Sequence, residues 1–283
     1  MNPLIRCLKP LSAPAEFGFL YVATGRAYVE EAVISVGSLR EHNPNAVVAA
    51  VLDPCEPADA AEFDCVFALE KSEGNSNDKI TGIMHTPFPK TVFLDTDTRI
   101  FEPLSELEQM LERFDIAMSF DPIWESHPQP EIPEAFPTFN SGVIAFRRSA
   151  ETSAFFERWL EEFRSQVLQP GESRRDQPPL RRVLYHSSLR FCALPPEYNL
   201  RVIYPYLVGG NARMKVVHGR HEYQERAMRR AGTVHCYPRV FGRNFGTKEL
   251  GMMFLKQLWT RLLTRLGLRP EAKGRRVGVT GKF

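Results

Sequence analysis

The sequence predicts an α/β protein built on one open sheet, and three observations carry that prediction. Short apolar runs rich in strand formers alternate with segments whose apolar residues recur at helical spacing. Thr24, Asp53 and Asp95 stand at the carboxyl ends of such runs, the edge at which open α/β sheets bind ligands. The 283 residues, 43% hydrophobic and 11% aromatic, suffice for a buried core, and no internal repeat or flexible linker divides them. The expected organisation is one domain over residues 1–246, followed by a basic helical extension and flexible tail over 247–283.

The elements follow in order. Phe17–Ala23 is an apolar strand ending at the turn Thr24-Gly25, and Tyr28, Ala32, Val33, Val36 and Leu39 mark the next helix. Ala46–Leu52, ending at Asp53-Pro54, completes a βαβ unit. A short strand over Cys65–Leu69, a Gly/Ser/Asn loop and a helix near Asp78–His85 lead to the strand Thr91–Asp97. Pro103–Leu111 has helical spacing, and Asp115–Ser119 reads as a strand. The stretch from Phe120 to Phe139 holds five prolines and is too long for an ordinary connection, which marks it as functional or mobile. Gly142–Phe146 is a strand, and Phe155, Phe156, Trp159, Leu160 and Phe163 form one face of a helix. A polar helix begins near Ser173, with further strands at Leu189–Ala193 and Met214–Val217.

Charge and cysteine usage exclude several classes. Lys and Arg total 36 against 34 Asp and Glu, so no global charge drives binding to nucleic acid, and no nucleic-acid partner is expected. Cys7, Cys55, Cys65, Cys192 and Cys236 show no ligand spacing, and their odd number argues for reduced thiols rather than a disulfide framework. Pro10, Pro14 and Glu16 interrupt any signal-like apolar run, and nothing reaches membrane-spanning length. The expected location is cytoplasmic. From Thr247 onward nine basic residues face only Glu249 and Glu271, and apolar residues from Met252 to Leu266 are interleaved among them. Such a helix packs on its own domain or lies peripherally against the inner face of an anionic membrane.

The chemistry concentrates at Thr91-Val-Phe-Leu-Asp-Thr-Asp97, an apolar strand running into two carboxylates separated by one residue. In extended backbone those side chains point the same way. Two like charges held together need a positive partner, and hard oxygen ligands suit magnesium or manganese. Asp-Thr-Asp is equally good turn chemistry after any strand.

Four further segments extend the pattern: Tyr21-Val-Ala-Thr-Gly-Arg-Ala-Tyr28, Phe139-Asn-Ser-Gly-Val-Ile-Ala-Phe146, Asp176-Gln177 with Pro196-Glu-Tyr-Asn199, and Val216-Val-His218. In this order the chain resembles nucleotide-sugar-dependent glycosyltransferases of the GT-A fold, those of the retaining family 8 and related families above all. The resemblance covers roughly residues 17–222. It implies a Rossmann-like domain with a central mixed, mainly parallel sheet flanked by helices. It makes Asp95 and Asp97 the metal-binding DxD pair, with His218 as a third ligand. An imidazole beside two carboxylates favours manganese over magnesium as the divalent cofactor. The family pattern continues after the histidine with Gly and Lys-Pro-Trp, whereas this chain has Gly219-Arg220-His221; Arg220 would supply the cation beside the diphosphate, with His221 a weaker stand-in for the ligand.

The resemblance assigns the remaining site residues. Ala23, Thr24 and Tyr28 would hold the nucleoside, Lys79 and Thr96 the donor, and Ser141 and Gly142 the donor sugar. Asn140, Asp176 and Gln177 would act at the anomeric carbon. Each has a plainer reading: Tyr28 in the core, Lys79 on a helix surface, Asp176 as a helix cap, His218 bonded to backbone. The implied reaction moves a sugar from a nucleotide-diphospho-sugar to a hydroxyl, with retention of configuration. A UDP-sugar is the favoured donor, a GDP-sugar the other, and the acceptor is a saccharide, a lipid-linked group or a protein. An inverting enzyme would need a general base, for which Asp121, Glu125, Glu131 and Glu134 are available. A nucleotidyltransferase making the nucleotide sugar would show a Gly-rich basic loop after the first strand, where this chain has only Thr24-Gly25-Arg26. A non-catalytic sugar-nucleotide-binding relative would be expected to lose Asp97 or His218.

Overall fold

A computed structural model describes residues 5–53, 60–121, 129–168, 175–201, 206–208, 213–220, 239–241, 255, 258–259 and 262. Its centre is an eight-stranded sheet. The strands are β1 (Ile5–Lys9), β2 (Phe17–Ala23), β3 (Val48–Leu52), β4 (Cys65–Leu69), β5 (Lys90–Leu94), β7 (Ile116–Phe120), β8 (Phe139–Arg147) and β9 (Phe191–Leu194), in the spatial order β1-β4-β3-β2-β5-β8-β7-β9. The run β4-β3-β2-β5 is parallel throughout. β8 enters antiparallel between β5 and β7, β9 is parallel to β7, and β1 is antiparallel at the edge. The sheet is therefore mixed with most strands in one direction, as expected.

Among the described residues five helices cover it: α1 (Arg26–His42), α2 (Ser76–Ile83), α3 (Glu106–Arg113), α4 (Ala150–Val167) and α5 (Gln177–Tyr185). The central strands are buried on both faces, which is why they read as unbroken apolar runs rather than alternating ones. Alternation still sorts their side chains. Phe19, Tyr21 and Ala23 of β2 pack with Val29, Val36 and Leu39 of α1. Leu20 joins the opposite core with Ile80 and Ile83 of α2 and the Phe155, Phe156, Trp159, Leu160, Phe163 face of α4. α4 starts on a reciprocal capping box, with Ser149 and Thr152 each accepting the other's backbone N–H.

β6 (Thr98–Ile100), β10 (Leu200–Arg201) and β12 (Val216–His218) form a second, small sheet in the order β10-β12-β6. β11 (Tyr206–Val208) and β13 (Arg239–Phe241) pair antiparallel. The chain divides into two compact units, Met1–Arg243 and Asn244–Phe283. In the second, Leu255, Leu258, Trp259 and Leu262 are helical and exposed, at spacings that share one helix face. No helix among the described residues is long and apolar enough to cross a membrane. The helix start expected near Ser173, residues 122–128 of the Pro-rich stretch, His221, Cys55, Cys236 and most of the extension lie outside the described residues. Cys7, Cys65 and Cys192 are free thiols.

One close approach governs where α2 lies. Gly82 faces β2, and a Cβ there would stand 2.5 Å from Val22 Cγ2. Gly82→Ala gains about 1 kcal/mol of helix propensity but meets an overpacking cost of about 1–3 kcal/mol, so the second term wins. The expected outcome is a lower urea midpoint for Gly82→Ala, partly restored when Val22→Ala is added. A variant at least as stable as wild type contradicts this packing.

Candidate functional site

The carboxyl ends of β2 and β5, the amino end of β8 and the carboxyl end of β12 meet around one cavity of about 510 Å³, within the size range of small-molecule sites. β8 reaches this edge because it runs antiparallel. The Asp95 N–H donates to Gly142 O at 2.8 Å, which sets Asn140-Ser141-Gly142 beside the end of β5. β5 stops at Leu94, and Asp95-Thr96-Asp97 is a turn closed by Thr98 N–H and Thr98 Oγ1 onto Asp95 O, at 3.2 and 2.7 Å. The two aspartates thus converge through a turn, and not by the period-two alternation of an extended strand; the turn reading and the shared-site reading hold together.

β12 then returns against β6 with His218 opposite Thr98. This brings His218 Nε2 to 3.2 Å from Asp97 Oδ1 and 3.6 Å from Asp95 Oδ2. Asp95, Asp97 and His218 each offer a ligand atom within 4.8 Å of the others, a separation one divalent cation can bridge. The ring of His218 lies flat on the β8 backbone where a side chain would otherwise be: a Cβ on Gly142 would stand 2.1 Å from His218 Cε1. Gly142 is therefore spoken for by the histidine, a nearer cause for glycine than the approach of a sugar.

Lys79, carried by α2, is a second centre. Its Nζ lies 2.9 Å from Asp95 Oδ1, 3.3 Å from Asp176 Oδ2 and 3.0 Å from Ser141 Oγ. The surface-lysine reading does not hold. Asp176 stands at the N-cap of α5 but makes no capping bond; its carboxylate accepts from Ser141 Oγ at 2.7 Å instead, and its backbone carbonyl accepts from Trp159 Nε1 at 2.9 Å. The helix-cap reading does not hold either. Burial works to lift the Asp176 carboxyl, and Lys79 and Ser141 outweigh it, holding the group below its ordinary value. Burial likewise works against the Lys79 ammonium, and Asp176 and Asp95 outweigh it, raising that pKa. Asp95 is pushed up by burial. At Asp97 burial acts in the same sense, but the bond and charge of His218, with Arg220, carry it well below the carboxylate range.

Arg220 approaches Asp97 Oδ2 at 3.5 Å, is held by Glu31 at 2.8 and 2.6 Å, and lies 5.0 Å over the Tyr28 ring. Tyr28 is 47% exposed and lines the cavity, so it is not a core residue. Thr24, Thr96, Asn140 and Gln177 line the same cavity. Ala23 does not: strand alternation turns it into the core at 1% exposure and presents Val22 and Thr24 instead.

Four residues have roles that the motif reading did not assign them. Asp121, at the end of β7, is buried and accepts on Oδ2 from Asn140 Nδ2 (3.0 Å), Gln177 Nε2 (3.1 Å) and Arg201 Nη1 (2.9 Å). Asn199 bonds His218 Nδ1 at 2.8 Å. Arg175 and Arg201 line the cavity. Asp121 and Asn199 lay within stretches already singled out; the two arginines carried no signal in composition or spacing.

The mixed sheet with β8 reversed, the small sheet carrying His218, and the carboxylate turn after β5 together define the GT-A fold of nucleotide-sugar glycosyltransferases. No protein-family profile matches the chain, and no curated protein matches it by sequence. Among solved structures it is similar to the galactosyltransferase LgtC, solved with donor and acceptor sugar analogs, at 12% identity and TM-score 0.53, covering 83% of this chain and 99% of that one. It is similar to GlyE, a glycosyltransferase of Streptococcus pneumoniae TIGR4, at 12% identity and TM-score 0.52, covering 73% of this chain. The chain spans 55% of the GlyE chain's length. WbbM, a bifunctional glycosyltransferase, matches at 14% identity and TM-score 0.50, over 76% of this chain and 47% of that one. At these identities the likeness is one of fold.

The Lys79–Asp176 pair predicts a pH dependence. The folded-state carboxyl of Asp176 titrates below its unfolded value of about 3.9, so its ionised form contributes stability above that value and loses it as pH falls through the lower, folded one. The stability difference between wild type and Asp176→Asn is therefore largest near neutrality and shrinks in acid, read from urea midpoints over a descending pH series. A difference that stays constant into strong acid contradicts the pairing.

Proposed function

We propose that the chain is a divalent-cation-dependent glycosyltransferase that moves a sugar from a nucleotide-diphospho-sugar to a hydroxyl acceptor with retention of configuration, as in family 8. The observation that carries this is the convergence of Asp95, Asp97 and His218 at the carboxyl edge of a GT-A sheet, with two cationic side chains alongside. The donor set of two carboxylates and one imidazole fits manganese better than magnesium. When bound, the cation supplies Lewis-acid stabilisation of charge on the departing diphosphate.

The chain's own residues do the rest. Arg220, fixed by Glu31, brings a second positive charge to the phosphate side of the cavity. Lys79 holds Asp95 and Asp176 in place and leaves Asp176 ionised beside the sugar position, where positive charge grows at the anomeric carbon. Gln177 gives its Nε2 to Asp121, which leaves Oε1 as the amide atom available to that carbon. Among the described residues, the carboxylates lining the cavity are Asp95, Asp97 and Asp176, all engaged as above. Of the carboxylates weighed as general bases for inversion, Asp121 is sealed among its three donors and Glu131 is paired with Arg182 at 2.8 Å. Glu134 does not line the cavity and Glu125 lies outside the described residues, so retention rests on the resemblance to family 8. Thr24 and Tyr28 suit a nucleoside, with a UDP-sugar the favoured donor.

A nucleotidyltransferase is the weaker reading, for a specific reason. The Gly25 N–H at the start of α1, where such enzymes cradle phosphates, donates at 2.7 Å to the Asp53 carboxylate. An anion there is already in place. The exposed face of Leu255, Leu258, Trp259 and Leu262 suits an anionic membrane surface, and peripheral attachment to the cytoplasmic face is part of the proposal. Flotation with anionic vesicles, lost in Leu258→Glu/Trp259→Glu, is the expected outcome; equal flotation of both proteins removes this part.

The central test is thermal stability against a panel of nucleotide sugars with and without manganese. One diphospho-sugar is expected to raise Tm by about 5–10 °C at hundredfold excess over Kd, only with manganese, and not in Asp97→Ala. A panel in which no diphospho-sugar stabilises the protein in a manganese-dependent way defeats the proposal.

A further inference from the structure

His218 offers two ring nitrogens, and which one carries the proton decides whether it can face a cation at all. The hydrogen bonds around it settle the question from a single fixed point, because a backbone N–H can only donate. The Gly142 N–H lies 2.9 Å from one atom of the Asn140 amide, which makes that atom the oxygen Oδ1. The atom of Asn199 lying 2.8 Å from the same oxygen must then be a donor, Nδ2. It follows that Asn199 turns its carbonyl oxygen, Oδ1, to His218 Nδ1 at 2.8 Å. That oxygen has no hydrogen to give, so Nδ1 donates. The far end agrees, since Asn140 Nδ2 points to the Asp121 carboxylate, which can only accept when ionised.

We infer that Asn199 is a positioning residue for His218, holding the ring proton on Nδ1 so that Nε2 presents its lone pair between Asp95 and Asp97. The inference rests on reading those three side chains as a cation clasp. Asn199 is 1% exposed, and its bond to His218 is buried. Its place is set by the fold: it follows the 3-10 turn Pro196–Tyr198, to which its own N–H returns at 3.1 Å, and precedes β10, which pairs beside the strand that ends in His218. Without an acceptor at Nδ1, the neighbouring carboxylates would draw the neutral ring's proton to Nε2, where it opposes a cation. With Asn199 in place, any proton on Nε2 is the one a cation displaces, and the Nδ1 proton stays.

Hydrogen-bond partners of this kind tune metal-binding histidines elsewhere, where losing the partner weakens metal by about 10–100-fold. The test uses the full chain with labelled histidine nitrogen. In wild type, nitrogen NMR at mildly alkaline pH is expected to show His218 protonated at Nδ1, both metal-free and with diamagnetic Cd²⁺ bound. Asn199→Leu is expected to move the proton to Nε2 and to weaken Mn²⁺, read by the electron paramagnetic resonance of free Mn²⁺, by about 10-fold or more. Asn199→Asp keeps an acceptor at Nδ1 but sets its second oxygen against Asn140 Oδ1, where the wild-type amide donates; it is expected to keep the Nδ1 proton, and the tautomer is the readout for this variant. A wild-type ring protonated at Nε2 alone, or an Asn199→Leu protein with wild-type tautomer and affinity, overturns the inference while leaving the clasp intact. Absence of Mn²⁺ binding by the wild type, with the Nδ1 proton in place, overturns the clasp and leaves the orienting bond standing.

Discussion

The reversed strand β8 is the constraint on which the site depends. Had β8 run parallel to β5, its amino end would lie at the opposite edge of the sheet, and Asn140, Ser141 and Gly142 would never meet Asp95. Antiparallel pairing, with Leu94 opposite Val143, puts them just beyond the end of β5. Three consequences follow from that single register. Ser141 can bond both Lys79 and Asp176; Gly142 can accept the ring of His218; Asn140 can link Asn199 to Asp121. A register slip of one residue would turn each of these side chains to the other face.

The chain's own side chains balance the charge of the site. Three carboxylates line a partly buried cavity, a state that burial alone makes unfavourable. Lys79 bridges Asp95 and Asp176, while His218 and Arg220 sit against Asp97. The negative charge of the clasp is thus compensated from both sides. A dinucleotide-binding fold would grip an anion at the first helix N-terminus; here Asp53 fills that position and the cationic groups gather at β5 and β12 instead.

Much of this was legible from residue order. The strands Phe17–Ala23 and Cys65–Leu69 and the aromatic face of α4 follow from apolar periodicity, and the structure has them. Asp95 and Asp97 stood out as a carboxylate pair, and the family resemblance implied Lys79, Asp176 and His218; long-range pairing brings all five to one cavity. What local sequence could not carry is direction and shape. The reversal of β8 is a property of strand pairing. The true geometry of Asp95-Thr96-Asp97 is a turn, decided by Thr98 bonding back to Asp95 rather than by the strand before it. Ala23 and Gly142 match motif positions, but one faces the core and the other serves a histidine from seventy-odd residues away, as the positions 142 and 218 require. Asn199 and Asp121 are ordinary polar residues until the tertiary fold buries them on either side of Asn140.

The indole of Trp159 has a use of another kind. It is fully buried in α4, and its N–H is tied to the backbone of Asp176, the residue where the cavity wall joins α5. An indole in a dry, hydrogen-bonded setting emits at a wavelength that depends on that bond. With Trp124 and Trp259 replaced by phenylalanine, the remaining emitter becomes an optical gauge of the joint between α4 and the Asp176 segment, sensitive to movement of the cavity wall without any label attached to the cavity itself.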